Sequence, residues 1–504
     1  MSTYVVDTYL QDAPVILTGP YDDLLVTSAG SLVDTQGEIG VNSEGAGEAI
    51  TIDGLVYSAD SGLGIGVSLS GEATTLFVNG QVQGDTGVEA SNATGTGDSV
   101  NVGSQGSIES VSGGIAVFFS GLGTGVTYDS LSNAGDISAG FVTDAVAVLV
   151  ENCGGDLINN SGQISGASAI DFFYNVATEI VENSGTIEGG AQGGLTFDDL
   201  LGTTSQIGNE GTITGSGFVI ISDSDILDIN NSGTIHGGLN STSKVDVENS
   251  GHWHDGTGSG GVVFSLGGAG NSITNSHAGT ITGAISIGGS GDTIHNAGKI
   301  DGAITLPAGG DVFTNSGEID GAVTFTGTAL TNTFTNSGAI TGNLKLSGSN
   351  STFTNSGSIT GNIAQAEGTD TITNHGQIYG SIALAGSDAL INTGAIHGNV
   401  TLGNADLVDS SRGEITGAIT GATSDLFEFS GNFGNETIDK FIGATGSTRD
   451  TIQFAANDFG SFAAVQKAMS QIGSDVVIRL DATDSITLAS VALSSVASAD
   501  FKFV

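Results

Sequence analysis

Between Asn133 and Asn392 the chain writes variants of Asn-Ser-Gly-x-Ile-x-Gly thirteen times, and few folds tolerate such a repeat. Copies open at Asn133, Asn160, Asn183, Asn209, Asn231, Asn249, Asn275, Asn296, Asn315, Asn336, Asn355, Asn374 and Asn392, with a last variant at Asp409. Their spacing tightens from 27 residues at the start to 17 at the end. A fixed period of this length signals stacked units, each too small to bury its own apolar face.

The apolar residues keep station within each unit. Two positions before the Asn sit residues such as Leu131, Ile158, Phe313, Phe334 and Phe353; four after it sit Ile137, Ile164, Trp253, Ile340 and Ile359. From Asn296 onward a third pair recurs, as in Ile304/Leu306 and Val323/Phe325. Short alternating runs punctuated by Gly and Asn read as strands and turns. Three short strands per unit, stacked coil on coil, make a parallel β-helix. The expected fold class is therefore all-β: a β-solenoid of 17–27-residue coils with like residues in vertical ladders. Gly342 and Gly361, six after the marker Asn, suit a turn with positive φ or a close backbone approach. The repeated Asn is expected to stack as an amide ladder, each side chain bonding its neighbour along the axis.

Phrases such as NSGTITG at this spacing resemble the passenger rods of autotransporters and other bacterial surface β-solenoids, over roughly residues 130–420. Residues 1–130 keep only eroded echoes, NGQVQG at Asn79–Gly84 and GSIESVSGG around Ile108, and are expected to form an N-terminal cap and irregular coils. An open coil is an exposed strand edge that needs covering. The segment Tyr4–Thr18 could cap the stack or pair with the end of another molecule.

Composition narrows the partners. The 504 residues include 83 Gly, 3 Pro and 1 Cys, with 9 Lys+Arg against 54 Asp+Glu, a formal charge of −45. No Lys or Arg precedes Lys244. Such a chain repels nucleic acid and anionic membranes and attracts divalent cations. Its 38% hydrophobic content, regularly placed, argues against disorder. The single Cys153 excludes an internal disulfide and reads as a small buried residue. The first residues carry neither a basic start nor a long apolar run, so a Sec-type signal peptide is not expected. No segment reaches about 18 uninterrupted apolar residues, so no membrane span is expected.

After Thr423 the pattern changes. A Gly- and Asp-bearing stretch leads to FAAVQKAMSQI, expected as a helix with Phe462, Val465, Met469 and Ile472 on one face. Strands DVVIRL and SITL follow, and the chain closes on VALSSVASADFKFV. Five of the nine basic residues (Lys440, Arg449, Lys467, Arg479 and Lys502) lie here, which supports a boundary near 423. The expected organisation is residues 1–130, a regular solenoid over 131–423, and a small β-rich domain with one short helix over 424–504. That last region resembles the C-terminal part of repeats-in-toxin (RTX) proteins exported by type I secretion. The matching residues are Thr437, Ile438, Asp439 and Phe441, then Ile486 and Leu488, then Asp500, Phe501 and Phe503. The resemblance implies a C-terminal secretion signal carried by Asp500, Phe501 and Phe503, the type I secretion machinery as a partner, and a Gram-negative source. The family's calcium nonapeptide, GGxGxDxUx, has only shortened echoes: GGAGNSITN from Gly267, and GGSGDTIHN from Gly288 with Asp292 as its acid. Ca²⁺ is expected from charge and resemblance rather than from an intact motif.

Five positions after the marker Asn, side chains should face outward. Up the stack these are Glu188, Thr214, His236 and His254, then Asp301 and Asp320. His236 and His254 would lie about 5 Å apart on adjacent coils, a candidate transition-metal pair beside His252 and Asp255. Asp301 over Asp320 is a candidate Ca²⁺ pair. A solvated polar face is the plainer reading of both. Longer coils are expected to carry loops with Phe172, Phe173 and Tyr174, and with Asp198 and Asp199, whose aromatics could contact a partner or a sugar or equally tuck in as a lateral cap. Nothing resembles a Ser/His/Asp set, a P-loop or a zinc-protease motif, so no catalytic residues are expected.

These observations lead to a secreted extracellular structural protein that assembles with copies of itself, as a surface layer or a fibre, at the cell surface or in a biofilm matrix. An adhesin binding cell-surface polysaccharide or a host surface, and a β-helical polysaccharide lyase or hydrolase, are the alternatives.

Overall fold

The computed structural model describes residues 2–504 except 37–38, 60–62, 93–95, 122–127, 199–202, 224–225, 257–259, 328–329, 348–349, 367 and 444–447. The chain is all-β, about 57% strand, with about 19 turns of parallel stacked coils, so it is the β-solenoid its repeat demands. It divides into two compact units: Met1–Gly268 with Ala278–Gly283, and Ala269–His277 with Ala284–Val504.

In the first unit a coil supplies three strands, or two where the later pair runs together, as in Gln163–Phe173. Asp23–Val26, Ser31–Asp34 and Ile39–Ser43, for instance, lie parallel and in register with Ala49–Ile52, Leu55–Ser58 and Ile65–Leu69. Alternation decides which residues face in: Leu24 and Val26 are buried while Asp23 and Leu25 between them are half-exposed. The second unit repeats the scheme with shorter strands, as in Val312–Asn315, Glu318–Asp320 and Val323–Phe325. Like stacks on like inside. Ile300, Ile319, Ile340, Ile359, Ile378 and Ile396 are all buried, and Phe313, Phe334 and Phe353 stack with ring centroids 4.7 and 5.1 Å apart. Each such side chain contributes about 1.5–3 kcal/mol on burial.

Glycine earns its place by proximity. A Cβ on Gly342 would lie 2.0 Å from the carbonyl oxygen of Gly321, and one on Gly361 2.0 Å from that of Gly342. Neither has a positive φ, so close approach between coils is the operative reason.

Within residues 1–130 the paired strands Gln81–Asn92 and Ser107–Gly121 carry a register shift between Gly84 and Thr86, while one column keeps its register throughout. The column that holds Asn133 is occupied before it by Val26, Ile52, Val78 and Val102, in unbroken register. The boundary expected after 130 falls inside the first unit, and the one after 423 inside the second, where Leu407–Asp409 pairs with Leu426–Phe429. The last variant of the motif also shifts by one residue. Ile391 aligns with Asp409, which places Ser410 rather than Asp409 after Asn392 in the column.

The C-terminal helix is shorter than expected. It spans Phe462–Ala468 and buries Val465 alone, while Met469–Ile472 turns into a strand. Gly473, at φ +62°, lets that strand fold back antiparallel onto Asp475–Arg479, which pairs in turn with Ser485–Leu488. Pairing of Met469 with Ile478 outweighs the helical spacing of Met469 and Ile472.

Candidate functional site

Two buried polar ladders run through the coils. The first is the amide column. In the first unit the Nδ2 of Asn133, Asn160, Asn183, Asn209 and Asn231 each donates to the Oδ1 of the next, at 2.7–2.8 Å. In the second unit the same bond links Asn275 through Asn392 at 2.7–2.9 Å. The remaining amide hydrogen reaches a backbone carbonyl, as from Asn336 to Gly338 at 3.3 Å. The expected stack is therefore present, and each amide is both donor and acceptor along it.

The second ladder stands four residues before the first, at a position where no single residue type is kept throughout. In the second unit the backbone N–H of each member donates to a side-chain oxygen of the next. Asn271 bonds Asp292 at 2.8 Å, Asp292 bonds Asp311 at 3.1 Å, and Asp311 bonds Asn332 at 3.0 Å. Beyond Ser351 the run becomes wholly acidic: Asp370 bonds Asp388 at 2.8 Å, Asp388 bonds Asp406 at 2.7 Å, Asp406 bonds Asp425 at 3.1 Å, and Asp425 bonds Asp450 at 3.0 Å. The Asp and Asn members are all at most 2% exposed. The first unit has its own version, from Thr74 through Asp98, Asp129 and Asp156 to Glu179. There it gives way to the apolar Leu227 and Val245.

Burial makes these carboxyls poor anions. It pushes Asp129, Asp388 and Asp425 up to about 6, and raises Asp311, Asp370, Asp406 and Asp450 in the same direction. Among the described residues, the Oδ2 atoms of Asp292, Asp311 and Asp388 have no hydrogen bond of good geometry. A further buried acid, Glu436, takes the N–H of Ile415 at 2.9 Å and the hydroxyl of Ser410 at 3.5 Å. Burial pushes it up to about 8.

The five metal candidates fall in separate places. His236 and His254 do meet across neighbouring strands of the first unit, with ring centroids 3.9 Å apart and planes at 67°. His254 Nδ1 accepts the N–H of Gly256 at 3.4 Å. Burial and the neighbouring His254 lower the basicity of His236. Asp301 and Asp320 align in the second unit, both exposed. Asp320 accepts the hydroxyl of Thr341 at 2.6 Å. Lys299 bonds Glu318 at 3.0 Å; that contact, then the charges of Asp301 and Asp320, raise its basicity. Asp292 belongs to the buried ladder instead. Among the described residues no group of three or more His, Cys, Asp or Glu is arranged to hold a metal ion.

The expected aromatic loop is largely strand. Phe172 lies inside Gln163–Phe173 and stacks on Phe197 at 4.9 Å, leaving Tyr174 as the exposed ring. Asp198 is exposed at the end of its strand, and Asp199 lies outside the described residues. Cys153 is buried, as expected. The proposed secretion residues are folded in: Asp500 and Phe501 are buried, and Phe501–Phe503 pairs with Thr451–Phe454. No helix among the described residues is long and apolar enough to cross a membrane.

The first coil is one place where the fold leaves pairing capacity open among the described residues. Thr3–Val6, Tyr9–Gln11 and Val15–Leu17 each pair on one side, with Asp23–Val26, Ser31–Asp34 and Ile39–Ser43, and with no second strand among the described residues. Val5 and Tyr9 are 56% and 58% exposed, and Tyr4, Leu10 and Ile16 are exposed beside them. No protein-family model, curated protein or solved structure matches this chain. Its chemistry has to be read from these surfaces and ladders alone.

Proposed function

We propose that this protein is a secreted extracellular structural protein that assembles with copies of itself, as a surface layer or fibre at the cell surface or in a biofilm matrix. The first coil carries this reading. Three strands with one free edge each, flanked by Tyr4, Val5, Tyr9, Leu10 and Ile16, offer backbone hydrogen bonds and apolar area to an incoming strand. Export by type I secretion through the C-terminal region, and Ca²⁺ screening of the 54 acidic residues during assembly, belong to the same proposal.

The adhesin reading draws on one further observation. Tyr379 is exposed and stacks on His397 at 4.9 Å and 19°, a flat aromatic surface of the kind a sugar ring can cover.

Electron microscopy of the purified protein, with millimolar Ca²⁺ and with excess chelator, tests the proposal. Filaments or sheets that vanish in a Val5→Lys/Leu10→Lys double variant are the expected result. Isolated particles under both conditions would overturn assembly, and saturable glycan binding lost in Tyr379→Ala would replace it with adhesion.

A further inference from the structure

We infer that the buried carboxyl run Asp370–Asp388–Asp406–Asp425–Asp450 is a proton-operated lock on the coils of the second unit, holding them shut when protonated and loosening them when ionised. The inference stands on the ladder's geometry and is independent of the assembly proposal.

Each of these side chains is at most 2% exposed, on neighbouring coils, with one oxygen engaged by a backbone N–H of the adjacent coil. The second oxygens differ in their partners. Gly403, Ala422 and Ile442 donate their N–H to Asp406, Asp425 and Asp450 at 2.6–2.8 Å, and the Gln365 amide bonds Asp370. Asp388 Oδ2 has no such bond, with the Ala385 N–H nearby.

The charged groups acting on the run are acids: Asp370 and Asp406 on Asp388, Asp406 and Asp450 on Asp425, and Asp500 on Asp450. Arg449 neighbours Asp450 in sequence, but its side chain is exposed. Hydrogen-bond donors favour the carboxylate, yet burial outweighs them and holds every member above its ordinary value, with neighbouring acids adding to the effect at Asp388, Asp425 and Asp450.

The direction follows from linkage. A carboxyl whose folded value exceeds its unfolded one binds its proton more tightly when folded. Its contribution is complete below the ordinary value of 3.8 and is lost as pH rises through about 6, the folded value of Asp388 and Asp425. The chain itself supplies the neutral form of this ladder, because Asn271 and Asn332 occupy the same position in other coils.

The experiment is hydrogen–deuterium exchange and thermal melting of the full chain from about pH 3.5, below the ordinary aspartate value, to about pH 8 in chelator, corrected for intrinsic exchange. The wild type should lose protection over residues 370–454 and several degrees of Tm as pH rises. Asp388→Asn/Asp406→Asn/Asp425→Asn should flatten that loss, matching the wild type in acid and exceeding it at high pH. Asp388→Asn alone gives a partial effect in the same direction if the triple variant folds poorly. Asp198→Asn, an exposed acid of the first unit, should leave the slope unchanged. A flat wild-type profile, or Asn variants that are weaker than the wild type at high pH, would overturn the lock.

Discussion

The amide ladder and the carboxyl ladder stand four residues apart in the same coils, both buried, yet they solve the problem of a buried polar column in opposite ways. An amide donates and accepts, so Asn315, Asn336 and Asn355 bond one another directly and need no charge. An ionised carboxylate only accepts. Asp388 and its neighbours therefore borrow backbone N–H groups, and Asp292, Asp311 and Asp388 each keep an oxygen without a well-formed bond. The first ladder is indifferent to pH and the second is tuned by it. A buried column need not be neutral to persist, but a charged one makes stability conditional on solution chemistry.

The comparison breaks first where an acid has no donors at all. Ile340 is buried in the apolar column between Ile319 and Ile359. Ile340→Asp should cost about 4 kcal/mol or more and unfold the local coils in urea or thermal melts. Exchanging one ladder's chemistry for the other's comes next. Asn336→Asp loses the donor that reaches Asn355 Oδ1 at 2.8 Å, and should cost about 3 kcal/mol at neutral pH. Part of that loss should return in acid, when a carboxylic proton replaces the amide hydrogen. The reverse exchange is milder. Glu436→Gln should match the wild type near pH 4 and exceed it by about 2 kcal/mol near pH 8, since the wild type loses stability as pH rises from 4.5 through about 8. Ser337→Ala sits beside the amide ladder but is exposed, bonding Asn315 O at 3.3 Å. It should change stability by less than about 0.5 kcal/mol. Equal melts for Ile340→Asp and Ser337→Ala would refute the inward assignment of the Ile column.

Much of this fold is legible because its signals repeat with one residue type. Asn at the marker, Ile four later and Phe two earlier announce an amide column, an aliphatic column and an aromatic stack, and the molecule contains all three. The acid ladder escapes because its position varies among Asp, Glu, Asn, Ser and Thr, and because Leu227 and Val245 interrupt it. An acid just ahead of a strand also reads as an ordinary turn. Aligning the residue four before each marker, Asp129, Asp156, Asp292, Asp311, Asp370 and Asp388 among them, is the signal that finds it. The early coils hide for a related reason, since Val26, Ile52, Val78 and Val102 stand where later coils have Asn. At the other end, helical spacing of Met469 and Ile472 misleads because strand pairing with Ile478 and Asp475 takes them instead. Of the metal candidates, register brings His236 to His254 and Asp301 to Asp320, as the period requires. The burial of Asp292 and the placement of Lys299 beside the exposed acids depend on the three-dimensional coil.

The contrast between the ladders is tested most directly by infrared spectroscopy of the carboxylic acid carbonyl band. The measurement is the difference between the wild type and Asp388→Asn/Asp406→Asn/Asp425→Asn, both folded, as pH is raised. The account predicts that this difference contains a protonated band that persists to near pH 6, the folded value of Asp388 and Asp425. Loss of the band near 3.8, the ordinary aspartate value, would contradict it and make the second ladder a fully charged one.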